Sequence, residues 1–359
     1  MKNVDKNLVW VTNIPVPYRE LLWQRLSSEI NFKIIFMSKS EFNYEYEPPR
    51  NVNYSFLSSR FFHIPTVSTP LYFSWLKLYR LQIWESANFV YIDGWESPAY
   101  SINAWLWKRK GIKVIFSYRS TAATHRFNGK LALYLKGKIL NLADSIVTVG
   151  NSSTEAVLAA GVNRSKILQI FNPVDVSFFH SYSMANRIET SSGHRFLFVG
   201  QLIERKNVKS LIHAFSKIAR NGDTLSIAGD GILKNQIFAL INDLKLNGTV
   251  NLVGQKSQDE LAKIYANSDT LVMPSIEEVW GLVANEALAS GMHAVVSEKS
   301  GVTDLISEMP GVYICKTDIE SIAEAMDKSR EDFKVAIKQP EILKYTPERF
   351  ADELLKWVI

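Results

Sequence analysis

The chain has 359 residues, 47% hydrophobic and 21% charged, with a formal net charge of +5. This excludes a disordered polymer and gives room for two ordinary domains rather than one. No apolar run reaches the roughly 18 residues of a spanning helix, and the opening MKNVDKNLVWVTNIP lacks the apolar core of a signal peptide. Cys315 is the only cysteine, which excludes a disulfide framework and a cysteine-based zinc site and suits a reducing cytosol.

The charge is unevenly placed. Residues 1–175 hold 21 Lys and Arg against 12 Asp and Glu, a net +9, together with seven of the nine tryptophans. Residues 176–359 hold 20 against 24, a net −4. A basic, aromatic-rich half suits an anionic membrane surface, an anionic acceptor or nucleic acid. A solvated basic face over a Trp-containing core is the plain alternative.

In chain order, β-branched and aromatic runs predict strands at 8–12, 32–36, 89–92, 114–116 and 145–149, with helices near 19–28, 99–110 and 130–142 between them. The second half repeats the alternation, with strands at 195–199, 224–228, 250–253, 270–273, 293–296 and 312–315. Its helices lie near 207–220, 232–246, 258–266, 282–290 and 318–329. Nearly continuous apolar strands separated by helices imply a parallel sheet covered on both faces. The pattern occurs twice, so the expected class is α/β with two facing, doubly wound, Rossmann-like domains. The first domain is expected over 1–175. A polar, Ser-rich linker at 176–194 follows, then the second domain over 195–340 and a final segment, 341–359, whose helix crosses back to the first domain.

In open parallel sheets ligands sit beyond the carboxyl ends of the strands, so the loops after each strand hold the candidate chemistry. In TNIPVPYRELLWQRL (12–26), Arg19 either reaches an acceptor or diphosphate or is an ordinary first-turn arginine. In YIDGWESPAY (91–100), Asp93, Trp95 and Glu96 offer two carboxylates and an indole, groups that suit a sugar's hydroxyls and ring face. FSYRSTAATHR (116–126) adds Arg119 and His125. INAWLWKRK (102–110) and the helix with Lys130, Lys136 and Lys138 either rest on an anionic bilayer or are amphipathic helices on a sheet.

In the second half, PSIEEVWGLVANEALASG (274–291) follows a strand and opens a helix. Free amides near Gly281, Leu282 and Val283 favour a phosphate there. Glu278 lies in the loop and Glu286 on the helix, where a carboxylate can accept two hydrogen bonds from a vicinal diol. FVGQLIERKNVKSLIHAF (198–215) places Arg205 and Lys206 at a helix start, a position that locally disfavours cations and so points to an anionic ligand.

These two stretches together resemble glycosyltransferase family 4, retaining enzymes of the GT-B fold. PSIEEVWGLVANEALASG is similar to that family's E-x7-E signature, and VGQLIERKN to its V-G-R-L-x-x-x-K-G stretch. The resemblance implies that Glu278 contacts the transferred sugar, that Glu286 binds the ribose, and that the amides of Gly281, Leu282 and Val283 meet the diphosphate. Lys206 falls at the family's diphosphate-binding lysine. Gln201 stands beside Gly200 where the family carries Arg, and Arg205 is the nearest replacement charge. AGDGILK (228–234), with Gly229, resembles the G-x-G loop at the nucleotide edge. Gln255 and Lys256 either meet the base or form a polar turn. The 116–126 loop, with His125, would face donor and acceptor.

The implied reaction moves a sugar from a nucleoside-diphosphate sugar to a hydroxyl of a glycan or lipid-linked acceptor, as in bacterial envelope polysaccharide assembly. An epimerase or hydrolase on the same fold, or an inert nucleotide-sugar-binding subunit, is the alternative. No cofactor, metal or nucleic-acid partner is expected. A cytoplasmic protein, peripheral on the inner membrane face, is the expected setting.

Overall fold

The computed structural model describes residues 3–41, 44–45, 47–57, 61–62, 71–80, 86–120, 129–188 and 193–358. Two compact units emerge. The first comprises Met1–Phe171 with Pro347–Ile359, and the second Asn172–Thr346.

The first unit begins β1 (Asn3–Thr12), α1 (Glu20–Glu29), β2 (Ile30–Phe36), followed by a short ribbon, β3 (Ser40–Glu41) with β4 (Tyr44–Glu45). Next come β5 (Tyr54–Phe56), a second ribbon of β6 (Phe61–Phe62) with β7 (Leu71–Tyr72), and α2 (Trp75–Tyr79). The alternation then becomes regular: β8 (Phe89–Ile92), α3 (Pro98–Arg109), β9 (Lys113–Tyr118), α4 (Lys130–Leu140), β10 (Ser145–Thr148), α5 (Gly150–Ala159) and β11 (Ile167–Gln169). The main sheet has the order β11-β10-β9-β8-β1-β2-β5, and every neighbouring pair is parallel.

Because side chains alternate along a strand, this sheet has two cores. Val9, Val11, Val90, Ile92, Val114 and Phe116 face Leu78 of α2, Trp107 of α3 and Leu140 of α4. Leu8, Trp10, Tyr91 and Ile115 face the other way, toward α1. Trp10 stacks on Tyr91 with ring centroids 3.7 Å apart. The last helix, α13 (Pro347–Val358), completes this second core with Phe350, Ala351 and Leu354. It is held to α1 by Arg25 Nε and Asp352 at 3.0 Å.

The second unit opens with α6 (Val176–Asn186), where a linker was expected. Its Ser and Asn content reads as polar coil, but Asp175 caps it by accepting the Phe178 amide at 2.9 Å. Phe179 is buried, edge-on to Tyr265 at 5.6 Å. Capping and burial of an apolar side outweigh composition here. The expected boundary at 175 thus falls a few residues late, and residues 176–186 belong to the second unit.

Strands β12 (Arg195–Val199), β13 (Thr224–Ala228), β14 (Val250–Gly254), β15 (Thr270–Met273), β16 (His293–Ser297) and β17 (Val312–Cys315) form a parallel sheet ordered β14-β13-β12-β15-β16-β17. They alternate with α7 (Val208–Ile218), α8 (Lys234–Asp243), α9 (Gln258–Ala266), α10 (Leu282–Ala289), α11 (Thr303–Ile306) and α12 (Ile319–Asp332).

The strand orders locate a switch point in each sheet. In the second unit the chain grows outward from β12 through β14, then returns to the other side of β12 with β15. In the first unit the same reversal separates β1 from β8. A crevice opens at such a point because the loops on its two sides lead to opposite faces of the sheet.

Candidate functional site

At the switch point of the second unit the loops after β12 and β15 meet. The Ile276 amide donates to the Arg205 carbonyl at 2.8 Å. Asn207, left-handed at φ 59°, turns its side chain away from capping α7 and donates to the carbonyls of Pro274 (3.1 Å) and Thr317 (2.8 Å). Downstream, the Gly301 amide donates to the Glu278 carbonyl at 3.0 Å. A Cβ at Gly301 would lie 2.0 Å from the Val279 carbonyl oxygen, so only glycine allows this approach. The backbone around Glu278 is therefore fixed on both sides.

Within this frame Lys206 Nζ donates to the Glu278 carboxylate. Both side chains are about nine-tenths covered, at 14% and 12% exposure. Arg205 is more open, its guanidinium 3.8 Å from Glu278 and 3.4 Å from the Glu277 carbonyl. Gly281, at φ 103°, starts α10, and its missing Cβ makes room for the Met273 thioether. The amides of Leu282 and Val283 follow in the first turn, where a helix has no internal acceptors for them.

Glu286 lies one turn further along α10. It accepts the Tyr265 hydroxyl at 2.7 Å. Burial pushes its carboxyl up to about 7, against the opposing pull of that hydrogen bond. Tyr265 is fully buried at the end of α9. Sequence reading missed it, because no local spacing ties it to a glutamate 21 positions later.

Beside this group the two glycine turns touch. A Cβ at Gly229 would sit 1.8 Å from the Gly200 carbonyl oxygen. Gly200, Gln201, Gly229, Gln255 and Lys256 line one pocket of about 250 Å³, together with Leu261. Lys256 also pairs with Glu260 at 3.1 Å on the first turn of α9. The residues expected to meet a donor thus come together within one unit.

The first unit's switch point is occupied differently. Arg19 is buried and donates to Asp93. Burial opposes its charge, but Asp93 more than compensates and raises its pKa. Thr12 Oγ1 also donates to Asp93, at 2.9 Å, and Arg119 lies 3.4 Å from its other oxygen. Arg119 further donates to Ser117 (3.1 Å) and Tyr18 (3.3 Å). Arg19, Asp93 and Arg119, expected as acceptor contacts, thus bind one another and stitch β1, β8 and β9 together.

Trp95 stacks on Tyr118 at 6.1 Å, and Glu96 accepts the Trp95 amide at 3.1 Å. Burial raises the Glu96 carboxyl. Lys136, expected among exposed helix cations, turns inward instead. It is buried and donates to the Tyr118 hydroxyl at 2.6 Å, and burial brings its pKa down to about 8. His125 lies outside the described residues.

Comparison with known proteins bears on the family and the fold. A family profile described as "Glycosyltransferase Family 4" matches residues 33–178, and one described as "Glycosyl transferases group 1" matches 186–342. The chain belongs to glycosyltransferase family 4. Its two parallel sheets have the GT-B fold. An uncharacterised glycosyltransferase of Methanocaldococcus jannaschii is 30% identical over 199 residues, which are 52% of this chain and 51% of that protein. A glycogen synthase of Mycobacterium tuberculosis is 28% identical over 194 residues, 53% and 46% of the two chains. The chain thus spans about half the length of these relatives. Among solved structures, Anabaena HepE in complex with UDP superposes with a TM-score of 0.73 over 98% of this chain and 99% of that one, at 12% identity. Among its described residues the chain has no helix long and apolar enough to cross a membrane.

Proposed function

We propose that the protein transfers a sugar, with retention of anomeric configuration, from a nucleoside-diphosphate sugar to a hydroxyl of a glycan or lipid-linked acceptor. The observation that carries this is the meeting of Lys206, Glu278 and the α10 N-terminus at one switch point, with Glu286 a turn away. The HepE structure contains UDP, and the mycobacterial relative is a glycogen synthase, which supports a nucleotide donor and a glycan-type acceptor.

In this reading the ribose diol binds the Glu286 carboxylate, with the base over Gln255 and Lys256 and the pyrophosphate at Gly200, Gln201 and Gly229. The amides of Gly281, Leu282 and Val283 face the phosphate nearest the sugar. As the glycosidic carbon–oxygen bond breaks, the leaving diphosphate gains negative charge. Lys206, with Arg205 beside it, is preorganised to stabilise that charge. Glu278 holds the sugar's hydroxyls and faces the carbon that becomes electron-poor. The acceptor oxygen bonds to that carbon on the face the diphosphate leaves, and the departing phosphate oxygen takes the acceptor proton. A lipid-linked acceptor would place this work at the inner membrane face.

A thermal-shift panel of UDP, GDP and ADP sugars tests the donor site, since a ligand at about 100 times its Kd adds roughly 2.7 kcal/mol of stability. The nucleotide that stabilises is then offered with acceptor glycans and the product's anomeric configuration read by NMR. Failure to bind every such nucleotide removes the proposal, and an inverted product removes the retaining mechanism.

A further inference from the structure

We propose that helices α2, α3 and α4 of the first unit form a docking face for an anionic lipid bilayer. This names a partner for the proposed lipid-linked chemistry. The three helices cover one face of the sheet, since Leu78, Trp107 and Leu140 share a core with Val114 and Phe116. They are also tied to one another. Asn103 Nδ2 donates to the Trp75 carbonyl at 3.0 Å, and Lys108 Nζ to the Leu142 carbonyl just past α4 at 3.1 Å.

The outer side of this layer reverses the usual pattern of a helix in water. A surface helix turns its apolar stripe inward and its charges outward. In α4 the buried side is Lys136, Gly137 and Leu140, while Leu131, Tyr134 and Leu135 point out at 71%, 60% and 52% exposure. Those three and Lys138 follow steps of three and four, so they form one stripe. In α3, Ile102 and Trp105 are exposed, and the Arg109 guanidinium lies 3.7 Å over the Trp105 ring. In α2, Trp75 and Leu76 are exposed next to Lys77 and Arg80, around a hollow of about 450 Å³.

Charge selects the occupant. Residues 71–80, 98–112 and 129–142 contain no acidic residue, yet they hold Lys77, Arg80, Lys108, Arg109, Lys110 and Lys138. The flanking Asp144 takes part of the Lys108 charge, at 3.0 Å. A second copy of this face would bring five or more cations against as many, with only the flanking Asp144, already paired with Lys108, to answer them. An anionic bilayer accepts both components at once. Exposed Trp, Tyr and Leu side chains enter the headgroup boundary, while Lys and Arg reach lipid phosphates along their apolar stems.

The full-length protein is sedimented with vesicles of phosphatidylcholine alone and with vesicles that also contain phosphatidylglycerol, with no donor or acceptor present. Vesicle binding and nucleotide binding are therefore read independently, and either can fail alone. Binding is expected only with the anionic vesicles. It should fall at least about tenfold in Leu131→Glu and Leu135→Glu and about fivefold in Lys138→Ala. The nucleotide-induced thermal shift should stay unchanged in all three. Should the glutamate variants lose their fold by circular dichroism, Lys138→Ala and Arg109→Ala supply the same comparison. No sedimentation with anionic vesicles, equal sedimentation of wild type and variants, or a dimer that Leu135→Glu abolishes would each overturn the assignment.

Discussion

Lys206 donates to the Glu278 carboxylate across the switch point of the second unit, although 72 positions separate them in the chain. Arg19 and Asp93, 74 positions apart, make the corresponding bridge in the first unit. In each case the cation comes from the loop after the first strand of the sheet, and the carboxylate from the loop where the chain returns to it. The two bridges differ in what they leave over. Asp93 is shared by two arginines and a threonine. Glu278 shares its pair with the more open Arg205, so a diphosphate can recruit cations there.

From this follows an asymmetry between the partners. Glu278→Gln removes a negative charge beside the phosphate site while preserving shape. Nucleoside-diphosphate affinity should hold or tighten by up to about tenfold, whereas kcat should drop by about 100-fold or more. Lys206→Ala should weaken the same nucleotide by at least about tenfold. It should also cost on the order of 3 kcal/mol of stability, because it leaves a mostly covered carboxylate without its principal partner. Calorimetric titration and steady-state kinetics separate the two. Equal, small effects from both variants would refute the division of roles.

Glu286 predicts opposite pH trends for folding and binding. Its folded pKa of about 7 stands above the ordinary 4.5, so the folded protein holds this proton more tightly than the unfolded chain. The stabilisation is present below about pH 4.5 and is lost as pH climbs through about 7. Glu286→Gln, which can still accept from Tyr265, should flatten that slope in denaturant titrations. The ribose diol needs the carboxylate as acceptor, so nucleotide affinity should rise about tenfold between about pH 6 and pH 8 in the wild type. A pH-independent affinity would mean that Glu286 does not meet the nucleotide.

Much of this was legible in the sequence, for a definite reason. Strands buried on both faces read as continuous apolar runs, and RFLFV, TLSIA and TLVM declared themselves in this way, the first two each followed directly by a glycine at positive φ, Gly200 and Gly229. The strand Ile167–Gln169 and the helix Gly150–Ala159 did not, one for its shortness and the other for its Asn-Ser-Ser-Thr start. Lys136 reads as surface charge because burial of a lysine depends on Tyr118, which lies on another element. Likewise, the capture of Arg19 by Asp93 is set by strand order, and no local pattern encodes strand order.

The contact between Gly229 and Gly200 makes a third prediction. Gly229→Ala would drive a Cβ to 1.8 Å from a backbone oxygen at φ +150°, so one of the two turns must move. A backbone atom yields far less readily than a flexible side chain. Loss of roughly 3 kcal/mol is expected, together with at least a tenfold loss of nucleotide affinity from displaced Gly200 and Gln201. Gly248→Ala, where an added Cβ meets nothing within 4 Å, is the matched control for positive-φ strain alone. If both variants bind nucleotide equally well, the turn contact does not shape the pocket.

The first unit's bridge allows a sharper test of what Arg19 does. If its charge is committed to Asp93, Arg19→Ala should destabilise by about 3 kcal/mol, since it removes the closest partner of a carboxylate whose side chain is 9% exposed. Asp93→Asn should cost a comparable amount by leaving a buried guanidinium unanswered. The double variant should then recover part of the sum, with a coupling of about 1.5–3 kcal/mol in a denaturant double-mutant cycle. Nucleotide-induced thermal shifts should be the same in all folded members of the cycle. Were Arg19 instead an acceptor contact, the coupling would fall below about 0.5 kcal/mol. Arg19→Lys would then raise the acceptor KM while leaving stability intact. Stability and KM therefore move in different variants under the two readings, and the cycle decides between them.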